Sequence, residues 1–562
     1  MMLLIFIVCC LKFVSSSSPV VRVEEGELAG TFYELPNGRI VHAFLGIPYA
    51  APPIFENRFK DPQQLEPWVG VWNATKLPSS CLQIAHRPRL YEISGEEDCL
   101  YLNIYTPKLP VDGVDNPLMN VLVYIHGGAF MFGSGGIYYP DYILQTNDIV
   151  FVNINYRVGA LGFFSTADNV APGNFGMKDQ VAALKWIKRN IIHFGGNPSS
   201  VTIAGSSAGG ASVHYHFISP LSEGLFHKGA SLSANVFHPW TLPRNVTQKS
   251  THLATLVGCP TDNNVDMVKC LQKRPARAVV EQSRNFMEWR YCPFSPFGPV
   301  VEPESPNAFL SSHPLELVAR GKVKDLPWMT GVTEKEGLFP SAEFIAHDNL
   351  LKELNDNWYK LAPNLLMYNY SVPEKEKDAI SEAIKKFYLG NKPISKETIN
   401  QLIQMLGDRF FYNEIFDITK LHSSATKSNV YCYKFNYRGK YSLTNVYTKN
   451  FDNYGTSHAD DILYFLRYLP TSSEETEADK AMTKLISSIY ANFINTGNPG
   501  IGINAWKPVA KDQTPSLMCL NINSADDMVY KDITNPATSK FWKNILSHEY
   551  SSNLAVMRRD EL

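Results

Sequence analysis

A serine set between glycines is the first group in the sequence that could act as a nucleophile. Ser207 is the central residue of the run Gly-Ser-Ser-Ala-Gly at 205–209, which has the G-x-S-x-G pattern. The β-branched run 201–203 precedes it, and a small-residue segment typical of a helix start follows it. Glycines permit such a sharp turn because a Cβ would keep the backbone from approaching closely. We therefore interpret the segment as a nucleophile elbow that exposes the Ser207 hydroxyl beside the positive end of a helix.

A serine hydroxyl is a weak nucleophile at neutral pH, so it requires a histidine base and an acid that orients the histidine. With this elbow the chain order is serine, then Asp or Glu, then histidine. Four histidines follow a candidate acid, namely His347, His422, His458 and His548. His458 is the predicted base, because it alone lies in a predicted loop after a strand, flanked by Gly455 and small residues.

The predicted acid lies in the run Thr-Glu-Lys-Glu-Gly at 333–337, directly after a predicted strand at 326–332. Glu334 and Glu336 are both candidates. Gly337 permits a tight turn immediately after the second glutamate, which favours Glu336. In isolation a Glu-Lys-Glu run is typical of a solvated surface, so the catalytic interpretation depends on Ser207 and His458.

Backbone N–H groups for an oxyanion are predicted at two places. The nearly all-apolar run 120–125 is expected to be a strand buried on both faces of a largely parallel sheet. It leads directly into Gly127 and Gly128, whose N–H groups would be free to point into a cavity. We assign these two glycines and Ala208 to the oxyanion hole. The alternative is a simple Gly-Gly turn.

The segments around the elbow predict the fold class. An apolar strand at 149–155, an amphipathic helix at about 177–194 and the elbow strand follow one another. Strand, helix and strand in this order indicate a parallel α/β sheet. The segment 340–417 is rich in helix formers, and we predict helices there that cover the carboxyl end of the sheet and form the walls of a substrate gorge.

The composition of the chain limits the partners, membrane segments and cofactors that can be expected. The 562 residues are 44% hydrophobic and 12% aromatic, enough for a sizeable core. A formal net charge of −2 offers no basic surface, so no nucleic-acid partner is predicted. No internal segment is apolar for long enough to span a bilayer. Serine chemistry requires no metal or organic cofactor, and none is predicted.

The two ends of the chain carry predicted targeting signals. Residues 1–17 have a short apolar run followed by small residues, which predicts a cleaved secretory signal; the alternative is a membrane anchor. The tail at 556–562 ends in Arg559, Asp560, Glu561 and Leu562, close to the K-D-E-L retrieval signal. We predict an endoplasmic reticulum retrieval receptor as partner and a location in that lumen, with secretion as the alternative.

Secretory entry predicts disulfides and glycans. The close pairs Cys81/Cys99 and Cys259/Cys270 would close short loops and are the predicted bridges. Cys432 lies inside a strand-like run and is predicted to be a small buried hydrophobe. The acceptor sequons for N-glycosylation begin at Asn73, Asn245 and Asn369.

Together these segments resemble the type-B carboxylesterase and cholinesterase family of α/β hydrolases, the carboxylesterase branch in particular. The matching runs occur in the family's order: Glu-Asp-Cys-Leu-Tyr-Leu-Asn at 97–103, His-Gly-Gly-Ala-Phe at 126–130, Asp-Gln at 179–180, Phe-Gly-Gly at 194–196, the elbow, and Gly-Thr-Ser-His at 455–458. The resemblance implies one α/β-hydrolase domain, predicted over 18–555, with a large, mostly parallel mixed sheet flanked by helices. It also implies the triad Ser207, Glu336 and His458 in a deep gorge, and the two bridges named above. The tail is similar to that of lumenal liver and gut carboxylesterases, nematode gut esterases among them.

Two departures from the family's pattern bear on the substrate. Family members usually carry Glu before the nucleophile, where this chain has Ser206. The loop from Cys81 to Cys99 contains no Trp, whereas cholinesterases place a choline-binding Trp there, which argues against acetylcholine. The predicted function is hydrolysis of small to medium uncharged carboxylic esters through an acyl-enzyme. The alternatives are a lipase-like hydrolase and a non-catalytic lumenal binding or adhesion protein on the same fold.

Overall fold

The computed structural model describes residues 18–85, 91–111, 113–114, 117–468, 474–501, 506–511, 516–547 and 549. The predicted signal at 1–17, the tail at 556–562 and His548 lie outside the described residues.

Strands and helices alternate through most of the described chain. The strands are β1 Val20–Val23, β2 Gly26–Ala29, β3 Thr31–Glu34, β4 Ile40–Pro48, β5 Val71–Asn73, β6 Gln83–Ile84, β7 Ile93–Ser94, β8 Tyr101–Thr106, β9 Met119–Ile125, β10 Tyr138–Tyr139, β11 Ile149–Ile154, β12 Gly196–Ser206, β13 Lys228–Leu232, β14 Trp328–Thr333, β15 Val430–Phe435, β16 Arg467–Tyr468, β17 Met518–Ile522 and β18 Met528–Asp532. The α-helices are α1 Gly159–Phe163, α2 Phe175–Asn190, α3 Ala208–Ile218, α4 Val246–Leu256, α5 Asn264–Lys273, α6 Ala276–Glu281, α7 Pro314–Ala319, α8 Leu338–Ala346, α9 Asp348–Asp356, α10 Trp358–Leu365, α11 Glu374–Leu389, α12 Ile399–Gly407, α13 Asn413–Ala425, α14 Leu443–Thr448, α15 Glu477–Thr496 and α16 Pro536–Ile545.

One large sheet organises these elements. Its eleven strands lie in the order β18-β17-β15-β14-β13-β12-β9-β11-β8-β4-β3. The pairs from β17 across to β11 are parallel, and the strands at both edges pair antiparallel. The chain therefore has the predicted α/β-hydrolase class of fold, a mostly parallel mixed sheet flanked by helices.

The central strands are apolar on both faces because helices cover both sides of the sheet. In β9, Val121, Val123 and Ile125 belong to one apolar cluster. The alternating residues Leu122 and Tyr124 belong to the cluster on the other face, and all five are fully buried. The sequence-based expectation of a strand buried on both faces is thus confirmed.

The helices follow the predicted pattern with shifted ends. The helix predicted at 177–194 is α2, which ends at Asn190 and continues as a 3₁₀ turn at Ile191–Phe194. Helices α8 to α12 occupy most of the segment predicted to be helical at 340–417, and a π-helical turn at Asp408–Tyr412 joins α12 to α13. None of the described helices combines the length and the apolar character needed to cross a membrane.

Three disulfides are present among the described residues, and one corrects the prediction for Cys432. Cys81 is bonded to Cys99 and Cys259 to Cys270, as predicted. The third bridge joins Cys432 to Cys519. Sequence distance hides this pair, because its members lie 87 residues apart and meet only when β15 pairs with β17. Cys292 is buried and forms no disulfide in the described part of the chain.

The three sequon asparagines differ in exposure. Asn73 and Asn245 are exposed, whereas Asn369 is half-buried. The Oδ1 atom of Asn369 accepts a hydrogen bond of 2.6 Å from Nζ of Lys377. Asn369 is therefore the least accessible of the three predicted glycan sites.

The bridge that closes the longer loop is expected to stabilise the protein more. Replacing Cys432 and Cys519 together by alanine should lower the free energy of unfolding further than replacing Cys259 and Cys270. The two bridges span 87 and 11 residues, for which loop-closure entropy gives about 4.5 and about 3 kcal/mol. Urea titrations followed by tryptophan fluorescence measure both double variants. Equal destabilisation, or a greater loss for the shorter loop, would contradict this ranking.

Candidate active site

The elbow places Ser207 at the carboxyl end of β12 in a strained conformation. Its backbone has φ 58° and ψ −126°, a region that residues with a side chain rarely occupy. The Ser207 N–H donates to the carbonyl of Leu232 at 2.9 Å, and the Ser207 carbonyl accepts from the N–H of Ala211 at 2.9 Å. These two bonds fix the serine between β13 and the first turn of α3.

The loop after β9 lies directly against the nucleophile. A Cβ added to Gly127 would lie 2.6 Å from the carbonyl oxygen of Ser206 and 3.1 Å from Cβ of Ser207. Gly128 has φ +112°, and a Cβ there would lie 2.0 Å from the carbonyl oxygen of Phe132. Ala208 is the first residue of α3, so its N–H has no acceptor within the helix. Gly127 and Gly128 therefore line the same cavity as Ser207, and Ala208 follows Ser207 in the chain.

The ring of His126 is hydrogen-bonded to the loop after β9 that contains Gly127 and Gly128. Its Nδ1 lies 2.8 Å from the carbonyl oxygen of Gly127, and because a carbonyl only accepts, Nδ1 carries the proton. The His126 ring stacks on Tyr156 at 4.3 Å. Burial lowers the pKa of His126 to about 4, so the ring is neutral at physiological pH.

His458 and Glu336 form a buried hydrogen-bonded pair. Nδ1 of His458 lies 2.5 Å from Oε2 of Glu336, and Oε1 of Glu336 accepts from the N–H of Thr333 at 2.8 Å. The Lys335 N–H donates to the carbonyl of Thr456 at 2.8 Å, so the two loops also join through their backbones. Since Nδ1–H points at the carboxylate, the lone pair on Nε2 is left as the base.

Nε2 of His458 is buried and has no hydrogen-bond partner among the described residues. His458 and Ser207 line the same cavity, together with Gly127 and Gly128. A hydrogen bond from nucleophile to base is often long in the absence of substrate and shortens in the complex. The arrangement is suited to proton transfer from Ser207 to His458.

The cavity that contains these groups encloses about 610 Å³ and is largely aromatic and aliphatic. No Asp, Glu, Lys or Arg is among its described lining residues. Its larger side chains are Leu77, Phe132, Ile137, Tyr138, Tyr139, Phe339, Leu443, Val446, Tyr447, Ile462 and Tyr468. Such a lining favours uncharged ligands, because an ion would lose its hydration without gaining a counter-charge. Among the described residues, no cluster of three or more His, Cys, Asp or Glu could hold a metal ion.

Aromatic rings enclose the other side of the histidine. His458 contacts Phe411 and Phe339, with ring centroids 4.7 and 5.2 Å apart. His238 also packs against Phe411, stacks on Trp240, and has no hydrogen-bond partner for either ring nitrogen among the described residues. Burial, with a smaller contribution from His458, lowers the pKa of His238 to about 3. The sequence analysis assigned His238 no role.

Asp461 is a second buried carboxyl near the triad that sequence reasoning missed. Its Oδ2 accepts from the Tyr433 hydroxyl at 2.6 Å, and its Oδ1 has no partner among the described residues. Burial, with a smaller contribution from the charge of Glu336, raises the pKa of Asp461 to about 7. The sequence feature that could have pointed to Asp461 is the Asp-Asp pair directly after His458 and Ala459.

Asp461 should make the stability of the protein depend on pH. The pKa of Asp461 is raised to about 7 in the folded protein, so this carboxyl group holds its proton more tightly there than in the unfolded chain. The stability that the protonated group contributes is therefore complete below the unfolded pKa and is lost as pH rises through 7. The asparagine in Asp461→Asn cannot ionise. The free energy of unfolding of this variant, taken relative to that of the original chain, should therefore be about 2 to 3 kcal/mol higher at pH 8 than at pH 5. Urea titrations at the two pH values measure this gain. The exposed Asp526→Asn is the control, and an equal response of both variants would contradict the assignment.

The chain is similar to several known proteins. A model of the carboxylesterase family matches residues 17–542. Esterase FE4 of Myzus persicae is 45% identical over 554 residues, which cover 97% of both chains. Venom carboxylesterase-6 of Apis mellifera is 39% identical over 538 residues, 95% of this chain and 96% of that one.

A solved structure shares the fold. Juvenile hormone esterase from Manduca sexta, determined with OTFP covalently attached, superposes with a TM-score of 0.81 at 27% identity. The match covers 96% of this chain and 100% of that one.

Proposed function

The chain belongs to the carboxylesterase family and is a serine carboxylic-ester hydrolase; we propose that Ser207, His458 and Glu336 are its catalytic triad. The observation that carries this assignment is the hydrogen bond of 2.5 Å between His458 Nδ1 and Glu336 Oε2, together with the cavity that His458 and Ser207 both line. The carboxylate holds the imidazole in the tautomer that can accept a proton and stabilises the imidazolium that follows.

In the acylation half-reaction, Ser207 Oγ attacks the ester carbonyl carbon while His458 Nε2 takes its proton. The tetrahedral oxygen then receives hydrogen bonds from the N–H groups of Gly127, Gly128 and Ala208. These donors are positioned before the reaction, so no reorganisation is needed when the charge develops. The imidazolium gives its proton to the leaving alcohol, and an acyl group remains on Ser207.

Deacylation repeats the same steps with water as the nucleophile. His458 Nε2 accepts a proton from the water as it attacks the acyl carbon, and the same N–H groups bind the second tetrahedral oxygen. The proton then returns to Ser207 Oγ as its bond to the acyl carbon breaks, and the carboxylic acid product departs and loses its own proton to water. No metal or organic cofactor takes part in this sequence.

We propose small to medium uncharged esters as substrates. The cavity beside Ser207 is lined by aromatic and aliphatic side chains, with no described carboxylate to pair with a cationic alcohol. Its volume of about 610 Å³ lies within the range of small-molecule sites. Ser206 has replaced an acidic residue of the family pattern and is almost fully buried, so it adds no negative charge beside the nucleophile.

Hydrolysis of p-nitrophenyl acetate, butyrate and palmitate tests the triad and the substrate class. The purified protein should release p-nitrophenol with a pre-steady-state burst of about one equivalent, and Ser207→Ala should be inactive because no acyl-enzyme can form. Acetate and butyrate should be preferred over palmitate. A folded protein that is as inactive as its Ser207→Ala variant would favour the binding-protein alternative, and a rate increase at a lipid interface would favour a lipase.

We also propose residence in the lumen of the endoplasmic reticulum, with a retrieval receptor as partner. The support is the tetrapeptide from Arg559 to Leu562, which departs from the K-D-E-L signal at its first position only. Glycans on Asn73, Asn245 and Asn369 and a cleaved segment at 1–17 belong to the same proposal.

Removing the last four residues should move the enzyme from cells to medium. Insect cells expressing the full chain are expected to retain most of the esterase activity, whereas the truncated chain should appear mainly in the medium. Arg559→Lys, which restores the common signal, is the matched control and should be retained at least as well as the full chain. Equal secretion of all three chains would refute retrieval by this tetrapeptide.

A further inference from the structure

A second cavity, named here the rear cavity, is formed by residues that flank Glu336. It encloses about 620 Å³, close to the volume of the catalytic cavity, and the two share no described lining residue. Glu334, Lys335 and Gly337 contribute to it from the loop after β14. The rear cavity is therefore a separate site that meets the triad only through the backbone of this loop.

One face of α16 forms the opposite wall. Pro536, Ser539, Lys540 and Lys543 line the rear cavity at the three- and four-residue spacing of a single helix face. Asn535, which caps this helix through the N–H of Thr538, also lines it. The positive end of the α16 dipole thus lies at the rear cavity.

Four lysines line the rear cavity, and three of them form no direct ion pair with another described residue. Lys543 forms an ion pair of 2.5 Å with Asp417. No ion pair joins Lys335, Lys434 or Lys540 to a carboxylate in the described part of the chain. The Lys434 ammonium lies 5.7 Å from the centre of the Tyr412 ring, and burial lowers its pKa. A partly desolvated ammonium without a paired anion is stabilised by an anionic ligand.

The carboxyl groups of the rear cavity offset only part of the charge of these lysines, and both act electrostatically on Lys434. They belong to Glu334 and Asp408. Oδ2 of Asp408 accepts from the Tyr388 hydroxyl at 3.0 Å, and burial raises the pKa of Asp408 to about 6. Asp408 is therefore mostly ionised at neutral pH, and the four lysines of the lining still outnumber its two carboxyl groups.

Apolar side chains complete the lining and define the class of ligand. Ile403, Phe416 and Ile533 provide carbon surface within the same cavity as the lysines. A small inorganic anion would leave this surface in contact with water. We propose that the rear cavity is a second ligand site, which binds an amphiphilic organic anion through Lys335, Lys434 and Lys540 and holds its apolar part against these three residues.

Binding of 8-anilinonaphthalene-1-sulfonate, an aromatic anion with fluorescence that rises on burial, tests this site. The full-length enzyme is first phosphorylated on Ser207 with an organophosphate, so that the catalytic cavity is occupied, and the mass increase is verified. Saturable binding with one equivalent should persist. Lys434→Met and Lys540→Met should together weaken it at least tenfold, because each removes a charged hydrogen-bond donor. Lys269→Met, an exposed lysine on α5, is the matched control and should have no effect.

The neutral analogue N-phenyl-1-naphthylamine separates charge from hydrophobicity and should bind at least tenfold more weakly than the sulfonate. Because Lys434 lies on a central strand, the exposed Lys540→Met is also measured alone and should weaken binding by a smaller factor. The proposal would be overturned if binding of the sulfonate disappeared when Ser207 is phosphorylated. It would also be overturned if the affinity were unchanged by replacing Lys434 and Lys540. A missing mass increase would instead count against the triad, so the two failures are distinguishable.

Discussion

The active site is built on close backbone contacts that leave no room for a side chain. A Cβ on Gly205 would lie 2.5 Å from the carbonyl carbon of Gly209, and one on Gly209 would lie 2.1 Å from the carbonyl oxygen of Ile125. β9, β12 and α3 meet here through backbone atoms, so their separation is set by van der Waals contact between those atoms. Ser207 can therefore be held at a positive φ that costs of order 1–3 kcal/mol.

The register of the parallel strands brings the remaining groups to the same edge. Leu232 of β13 pairs with Ser206 of β12 on one side and with Gly331 of β14 on the other. The carboxyl ends of these strands are thus nearly level, and the loop after β14 delivers Glu336 beside the elbow. Burial of Glu336 is possible because both carboxylate oxygens are hydrogen-bonded, and the low dielectric there strengthens its bond to His458.

Sequence patterns predicted the parts of the site whose chemistry requires a local motif. The elbow, the Gly127 loop and the short bridge Cys81–Cys99 depend on residues close together in sequence, so their spacing carries the information. The disulfide Cys432–Cys519 and the buried carboxyl group of Asp461 were not predicted, because both depend on residues far apart in the sequence. The bridge exists because two strands 87 residues apart pair in the sheet, and the environment of Asp461 comes from Tyr433 on a strand 28 residues earlier. Sequence distance conceals such tertiary neighbours.

The loop that lines the rear cavity also carries Glu336, the partner of His458, and this links the two sites physically. The Tyr412 hydroxyl donates to the carbonyls of Thr333 and Glu334, and the Lys335 N–H donates to the carbonyl of Thr456 in the His458 loop. An anion that orders Lys335 therefore acts on the residue before Glu336, whose backbone is bonded to Thr456, two residues before His458. If such a ligand alters ester binding, thermodynamic reciprocity requires that the ester alter the affinity for that ligand by the same factor. The rigid, glycine-packed elbow lies outside this connection, so any coupling would act through the orientation of His458 and leave the position of Ser207 unchanged.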